Sequence, residues 1–162
     1  MKSWSFHLQI FFLNSRFKQI QNISKTNNTI IQDRSIYEDY EVFTKNLFDS
    51  GILLKREFEN YKRLYNTILK YVKVPDLLIY IRNKNIKNIV NNIKKRNRNF
   101  EKKINTKYLK NLNIYYENWI KNYANKNLLI IDVTNKDFIN NSKDLKNIYN
   151  IIETKIIELN QN

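Results

Sequence analysis

Three short stretches carry side chains able to do chemistry on a charged or polar small molecule. Asp33-Arg34-Ser35 sets a carboxylate beside a guanidinium at the end of a β-branched run, so one side chain can orient the other while the arginine addresses an anion. A capping pair with a surface arginine uses the same residues. Lys94-Lys95-Arg96-Asn97-Arg98-Asn99-Phe100-Glu101 puts two arginines two positions apart in a basic segment. Such a segment suits a lid over transferring phosphates, where arginine stabilises the developing charge, and it equally suits a solvated charge run. Gln9 and Arg16 are seven residues apart, hence on one face of a helix about two turns from each other. A Gln amide can pair with a base edge and an Arg can fix an acceptor; either is also an ordinary surface residue, as is Asp39.

Other chemistries are excluded by what the chain lacks. It has no cysteine and one histidine, His7, which removes thiolate catalysis, disulfides, Cys-ligated zinc and multi-His metal sites. It has one glycine, Gly51. Both the phosphate loop G-x-x-x-x-G-K-[ST] and the dinucleotide fingerprint G-x-G-x-x-G need at least two, so neither is written here. No metal site is expected from these residues.

The 162 residues are enough for one domain with a true core, and 42% hydrophobic with 14% aromatic residues argues against disorder. The net charge of +14 invites a nucleic-acid reading. Composition weakens it: 28 Asn, 24 Ile and 22 Lys share A/T-rich codons, and only 7 of the basic residues are Arg. Solvated lysines are the simpler account, and nucleic acid is not the expected partner. Apolar runs are far too short for a membrane span, no cleavage site follows Ile10–Leu13, and the cytoplasm is the default compartment.

The elements that must position these residues follow from periodicity. Trp4 to Ile23 reads as an amphipathic helix, and Thr29-Ile30-Ile31-Gln32 as a short strand leading into Asp33. A helix from Tyr37 ends near Gly51, and another, Lys55–Val72, ends before Pro75. Asp76–Ile81 and Leu128–Asp132 read as strands buried on both faces. Helices are expected over 85–95, 106–123 and 145–159. Strands alternating with helices indicate an α/β fold, a parallel sheet with helices on both faces. Ligands in such folds bind beyond the carboxyl ends of the strands, where Asp33, Arg34, Arg82 and Asp132 fall.

Taken in order, Trp4-Ser-Phe-His-Leu-Gln9, Asp33-Arg-Ser-Ile-Tyr-Glu-Asp39, Pro75-Asp-Leu-Leu-Ile-Tyr-Ile-Arg82, Lys95-Arg-Asn-Arg-Asn-Phe-Glu101, Tyr108-Leu with Tyr116-Glu-Asn-Trp119, and Leu128-Leu-Ile-Ile-Asp-Val133 with Asp137-Phe138 resemble the deoxynucleoside kinase family. The similarity is to the branch acting on deoxyadenosine, deoxyguanosine and deoxycytidine, and it covers nearly the whole chain. The resemblance implies a P-loop kinase-like fold and ATP-dependent phosphorylation of a deoxynucleoside 5′-hydroxyl. By motif match, Gln9 reads the base with Arg16 and Asp39 helping to select it. Asp33 and Arg34 stand near the 5′-hydroxyl and phosphates, and Arg96 and Arg98 match the lid arginines of a lid at 94–103. Glu101 matches the carboxylate that reaches the sugar, while Asp137 and Phe138 fall where a loop packs on the ATP adenine.

The chain departs from the family in two places. The first strand with its phosphate loop is missing, as is the following strand carrying the glutamate that resembles a general base; Asn92 also stands where some members have a lid-helix arginine. The loop would hold the phosphates and, through its hydroxyl, Mg2+. The expectation is therefore a single domain, 1–162, that is the C-terminal part of such a kinase and turns over no ATP by itself. ATP and Mg2+ would bind only with the missing segment, and the partners implied are that segment or a second copy in a homodimer. The family's sheet order, similar to 2-3-1-4-5, would leave a gap between the strand before Asp33 and the other two. Two further readings use the same scaffold without catalysis: a basic RNA- or polyanion-binding module, and a dimer partner for an intact kinase.

Overall fold

The computed structural model describes residues 2–99, 104–124 and 127–161, which form two compact units. Glu101, expected at the sugar, and Phe100 lie outside the described residues.

The first unit comprises residues 1–74 and 111–122. It holds α1 (Lys2–Ile23), α2 (Ile36–Glu38), a π-helical turn (Asp39–Thr44), α3 (Lys45–Asp49) and α4 (Lys55–Leu69), with the larger part of α6 (Thr106–Lys121). Its core is aromatic. Leu13 of α1, Ile36, Tyr40, Phe58, Tyr61 and Tyr65 are buried together, with Tyr40 stacked on Tyr65 at 4.5 Å and Phe48 on Phe58 at 4.2 Å. Offset stacking of this kind adds to the burial of the rings themselves. α3 ends on Gly51 at φ +68. There the Gly51 N–H donates to the Phe48 carbonyl and the Ile52 N–H to that of Leu47, the paired bonds of a Schellman cap.

Thr29–Gln32 is not a strand. The segment is irregular, and Ile31 is 95% exposed. A β-branched run has no hydrogen bonding of its own and becomes a strand only beside a partner; among the described residues none pairs with it. The expected gap in the sheet is thus resolved by losing the strand rather than by leaving it stranded.

The second unit comprises 75–110 and 123–162. β1 (Leu78–Arg82) and β2 (Leu128–Asp132) pair directly and in parallel, Leu78 opposite Leu128 through Arg82 opposite Asp132. α5 (Ile86–Arg96) and α7 (Ser142–Asn160) belong to the same unit. Both start on an asparagine whose side chain accepts from the N–H two residues on, Asn85 from Lys87 and Asn141 from Lys143. Ile131, Val133 and Ile148 form its buried cluster, joined by Leu129, Phe138, Ile151 and Ile152.

Full burial of the strands on both faces is not observed. Ile79, Ile81 and Ile130 are exposed. Among the described residues the sheet has two strands, so each has a neighbour on one side only. No described helix is long and apolar enough to cross a membrane.

Candidate functional site

The first unit brings Gln9 and Arg16 of α1 together with Asp39 in one polar cluster, Gln9 and Asp39 buried and Arg16 half-buried. α1 brings Gln9 and Arg16 because its inward face also carries Phe6, Ile10, Leu13 and Ile20, which pack on the aromatic core. Asp39 comes from the π-helical turn between α2 and α3. The extra residue of a π turn widens the helix locally and rotates the next turn about the axis; such turns recur at functional sites. Gln9 and Asp39 are each only 6% exposed. Arg16 Nε stands 3.8 Å from Asp39 Oδ2 and its Nη1 donates to Gln19 Oε1 at 3.1 Å.

Asp39 is the electrostatic centre of this cluster. Burial pushes its carboxyl up from 3.8 to about 6, against the pull of Arg16; Glu38 adds to the rise and Arg34 opposes it. Its Oδ2 is buried without a hydrogen bond. Such a group costs free energy and calls for an explanation beyond folding. Desolvation outweighs the nearby arginine because, at this separation, Arg16 supplies charge without a short, aligned hydrogen bond.

A residue that the sequence pattern does not single out completes the cluster. Thr44, last of the π-helical turn, is fully buried, its hydroxyl 2.6 Å from the Asp39 carbonyl oxygen and 3.1 Å from Gln9 Oε1. Tyr61 lies beside it, its hydroxyl buried without a hydrogen bond of good geometry, and burial drives that phenol's pKa upward. The only signal in the sequence is a lone threonine within the Val42-Phe43-Thr44 stretch, which helix periodicity treats as filler.

Arg34 and Asp33 lie in the turn before α2. Arg34 adopts φ +62, the left-handed region disfavoured for a side chain of this size. Its guanidinium lies over the Phe43 ring, 4.8 Å from the centroid, a cation–π contact that holds it. Asp33 is exposed. Glu38 accepts from the Ser35 N–H, half of a capping box, and its other oxygen accepts from the Tyr116 hydroxyl at 3.3 Å. Phe43 and Tyr116 meet edge to face. Arg34 therefore lies against an aromatic wall made by Phe43 and Tyr116.

The remaining expected residues belong to the second unit. Arg96 ends α5, Asn97 caps it at φ +50, and Arg98 follows, exposed. Arg98 lines a hollow of about 350 Å³ with Val90, Ile93, Ile104 and Leu109. Asp137 accepts from the Asn140 N–H and side-chain amide, and these bonds hold its carboxyl below the usual range. Phe138 packs against the Ile131–Ile148 cluster. Beyond the strand ends, Asp132 accepts from the Thr134 hydroxyl at 2.6 Å and pairs with Lys84 at 3.0 Å. Thr134 foremost, then Lys84, keeps Asp132 ionised well below the ordinary carboxylate range. Among the described residues no group of three His, Asp or Glu side chains is placed to hold a metal ion.

The family model for deoxynucleoside kinase matches residues 1–158. Among relatives, the Bacillus subtilis deoxyadenosine/deoxycytidine kinase is 35% identical over 94% of this chain and 71% of its own length. The deoxyguanosine kinase of the same organism is 32% identical over 91% and 72%. In three dimensions the chain resembles the deoxyadenosine kinase of M. mycoides with the products dCMP and a flexible dCDP bound: TM-score 0.79, 28% identity, 95% of this chain and 76% of that one. A second structure of that enzyme, with bound dATP, gives 0.77 at the same identity, over 94% and 76%. Sequence and fold agree over nearly the whole length, and the chain belongs to the deoxynucleoside kinase family.

Proposed function

We propose that these residues form the deoxynucleoside-reading part of a kinase that phosphorylates the 5′-hydroxyl of a purine- or cytosine-type deoxynucleoside with ATP. The observation that carries this reading is the cluster of buried Gln9 and Asp39 with half-buried Arg16. A carboxylate with an orphaned oxygen, a carboxamide and a guanidinium offer acceptors and donors, and the Phe43–Tyr116 wall of the same unit offers a flat apolar surface. Those are the features a nucleobase needs: polar groups for its edge and a ring for its face. Asp33 and Arg34 then serve the 5′-hydroxyl and phosphate end, Arg96 and Arg98 act as lid cations, Glu101 reaches the sugar, and Asp137 with Phe138 receives the adenine of ATP.

The residues present do not fit a triphosphate with its Mg2+. A single glycine cannot build the loop of backbone N–H groups that cradles the phosphates and, with them, the cation. In this reading the 162 residues bind nucleoside, and turnover requires a phosphate-binding segment from outside them.

Calorimetric titration of the chain with deoxyadenosine, deoxyguanosine and deoxycytidine tests the proposal. Saturable binding lost in Gln9→Ala and Asp39→Ala supports it; absence of binding to a folded chain refutes it. ATP-dependent phosphorylation by the purified chain alone would refute the requirement for an external cradle.

A further inference from the structure

The Thr44 hydroxyl has one proton, two acceptor oxygens placed to take it, and the Tyr61 hydroxyl beside it, which can use only one of its two lone pairs. The Asp39 backbone carbonyl, at 2.6 Å, can only accept. Gln9 presents Oε1 at 3.1 Å, and an oxygen there would need the same proton. The shorter contact to the obligate acceptor claims it. What Thr44 then offers Gln9 is a lone pair, and the partner for a lone pair is the amide NH2. The two ends of a carboxamide have almost the same shape, so hydrogen bonding decides which way it turns. Among the described residues Thr44 is the one group bonded to the Gln9 side chain, so no other described group competes for its orientation.

The order of the two ends matters for the edge of a base. A carboxamide presents an oxygen acceptor beside an N–H donor. A 6-aminopurine presents an amine donor beside a ring-nitrogen acceptor, and a 6-oxopurine presents the reverse, an oxygen acceptor beside a ring N–H. A Gln free to turn over fits both; one held from behind fits a single order. We infer that Thr44 fixes which end of the Gln9 carboxamide faces the nucleobase, with Nε2 turned toward Thr44, and that it thereby sorts 6-amino from 6-oxo purines. The inference rests on the deoxynucleoside reading above and goes beyond it by naming the residue that sets the sense of selection. Thr44 acts through Gln9 and is a positioning residue.

The test uses the complete chain and two probes that differ at the purine 6-position and its adjoining nitrogen, deoxyadenosine and deoxyinosine. Dissociation constants are measured for the wild type, Thr44→Val, which keeps the shape and loses the hydroxyl, and Thr44→Ser, which keeps the hydroxyl. The expected wild-type ratio between the probes is roughly tenfold or more, the span of one good bidentate pair. Thr44→Val brings the ratio to within about threefold, and Thr44→Ser restores it. Thr44→Ala gives the same comparison should the valine fail to pack. A wild-type ratio near one, a Thr44→Val ratio equal to wild type, equal weakening of both probes, or loss of discrimination in Thr44→Ser overturns the inference while leaving nucleoside binding intact. Failure of the folded wild type to bind either probe removes the deoxynucleoside reading itself, and the inference with it.

Discussion

Asp39→Asn isolates the energetic cost of the candidate site. The Asp39 carboxyl has its midpoint raised from 3.8 to about 6 by burial, with Arg16 partly opposing. A rise of this size corresponds to roughly 3 kcal/mol of penalty for keeping the group ionised in the folded chain at pH 8. Residual solvent contact reduces what is realised, and an asparagine keeps the volume while leaving Arg16 without its carboxylate, so a net gain of about 1–2 kcal/mol is expected. The direction with pH is fixed by linkage. Because the folded state holds its proton to higher pH than the unfolded state, stability falls as pH rises from about 4 to about 6 and then levels off. Asp39→Asn removes that slope, so the two proteins should be nearly equal at pH 4.5 and the variant more stable at pH 8. Both tryptophans, Trp4 and Trp119, lie in the unit that contains Asp39, and urea unfolding followed by their fluorescence reads it directly. A variant less stable than wild type at pH 8 would refute the reasoning, since it would mean that the Arg16 pairing outweighs desolvation. Reduced nucleoside binding in the same variant would tie the unfavourable burial to function.

Three further outcomes are expected from the folds of the two units. Gly51→Ala should cost about 1 kcal/mol, because φ is +68 while no atom lies within 4 Å of an added Cβ, so backbone strain is the whole effect; Gly51→Asn should cost less, and urea titration distinguishes them. Asn141→Ala removes the side chain that accepts from the Lys143 N–H at 3.0 Å and should lower stability by about 1 kcal/mol, seen as faster amide exchange over the first turn of α7. On α1, Trp4 and Phe11, seven residues apart and so on one face of the helix, are 73% and 63% exposed. We expect this face to pair two copies, so sedimentation should give a dimer for the wild type and a monomer for the Trp4→Ser, Phe11→Ser double variant.

The limits of legibility fall along hydrogen bonding rather than hydrophobicity. α4 is readable because it places apolar residues at helical spacing between Gly51 and Pro75, while α7 is read only from 145 and its first turn, capped by Asn141, is missed because the cap lies ahead of the apolar periodicity. Thr29–Gln32 misleads because strand propensity describes a residue's fit to a sheet, and the sheet partner is not a property of the segment. The π-helical turn is hidden for a related reason: Asp39–Thr44 keeps the helical pattern of apolar residues, and the widened turn shows only in how the next face is rotated. That rotation is what carries Thr44 against Gln9. Sequence spacing pairs Gln9 with Arg16 and the family resemblance adds Asp39, but the group that decides how Gln9 is presented enters through a distortion with no sequence period of its own. A family resemblance transfers the residues that touch a substrate. The residues that aim them have to be found from proton counts and burial, as the single Thr44 proton, claimed by the Asp39 carbonyl, illustrates.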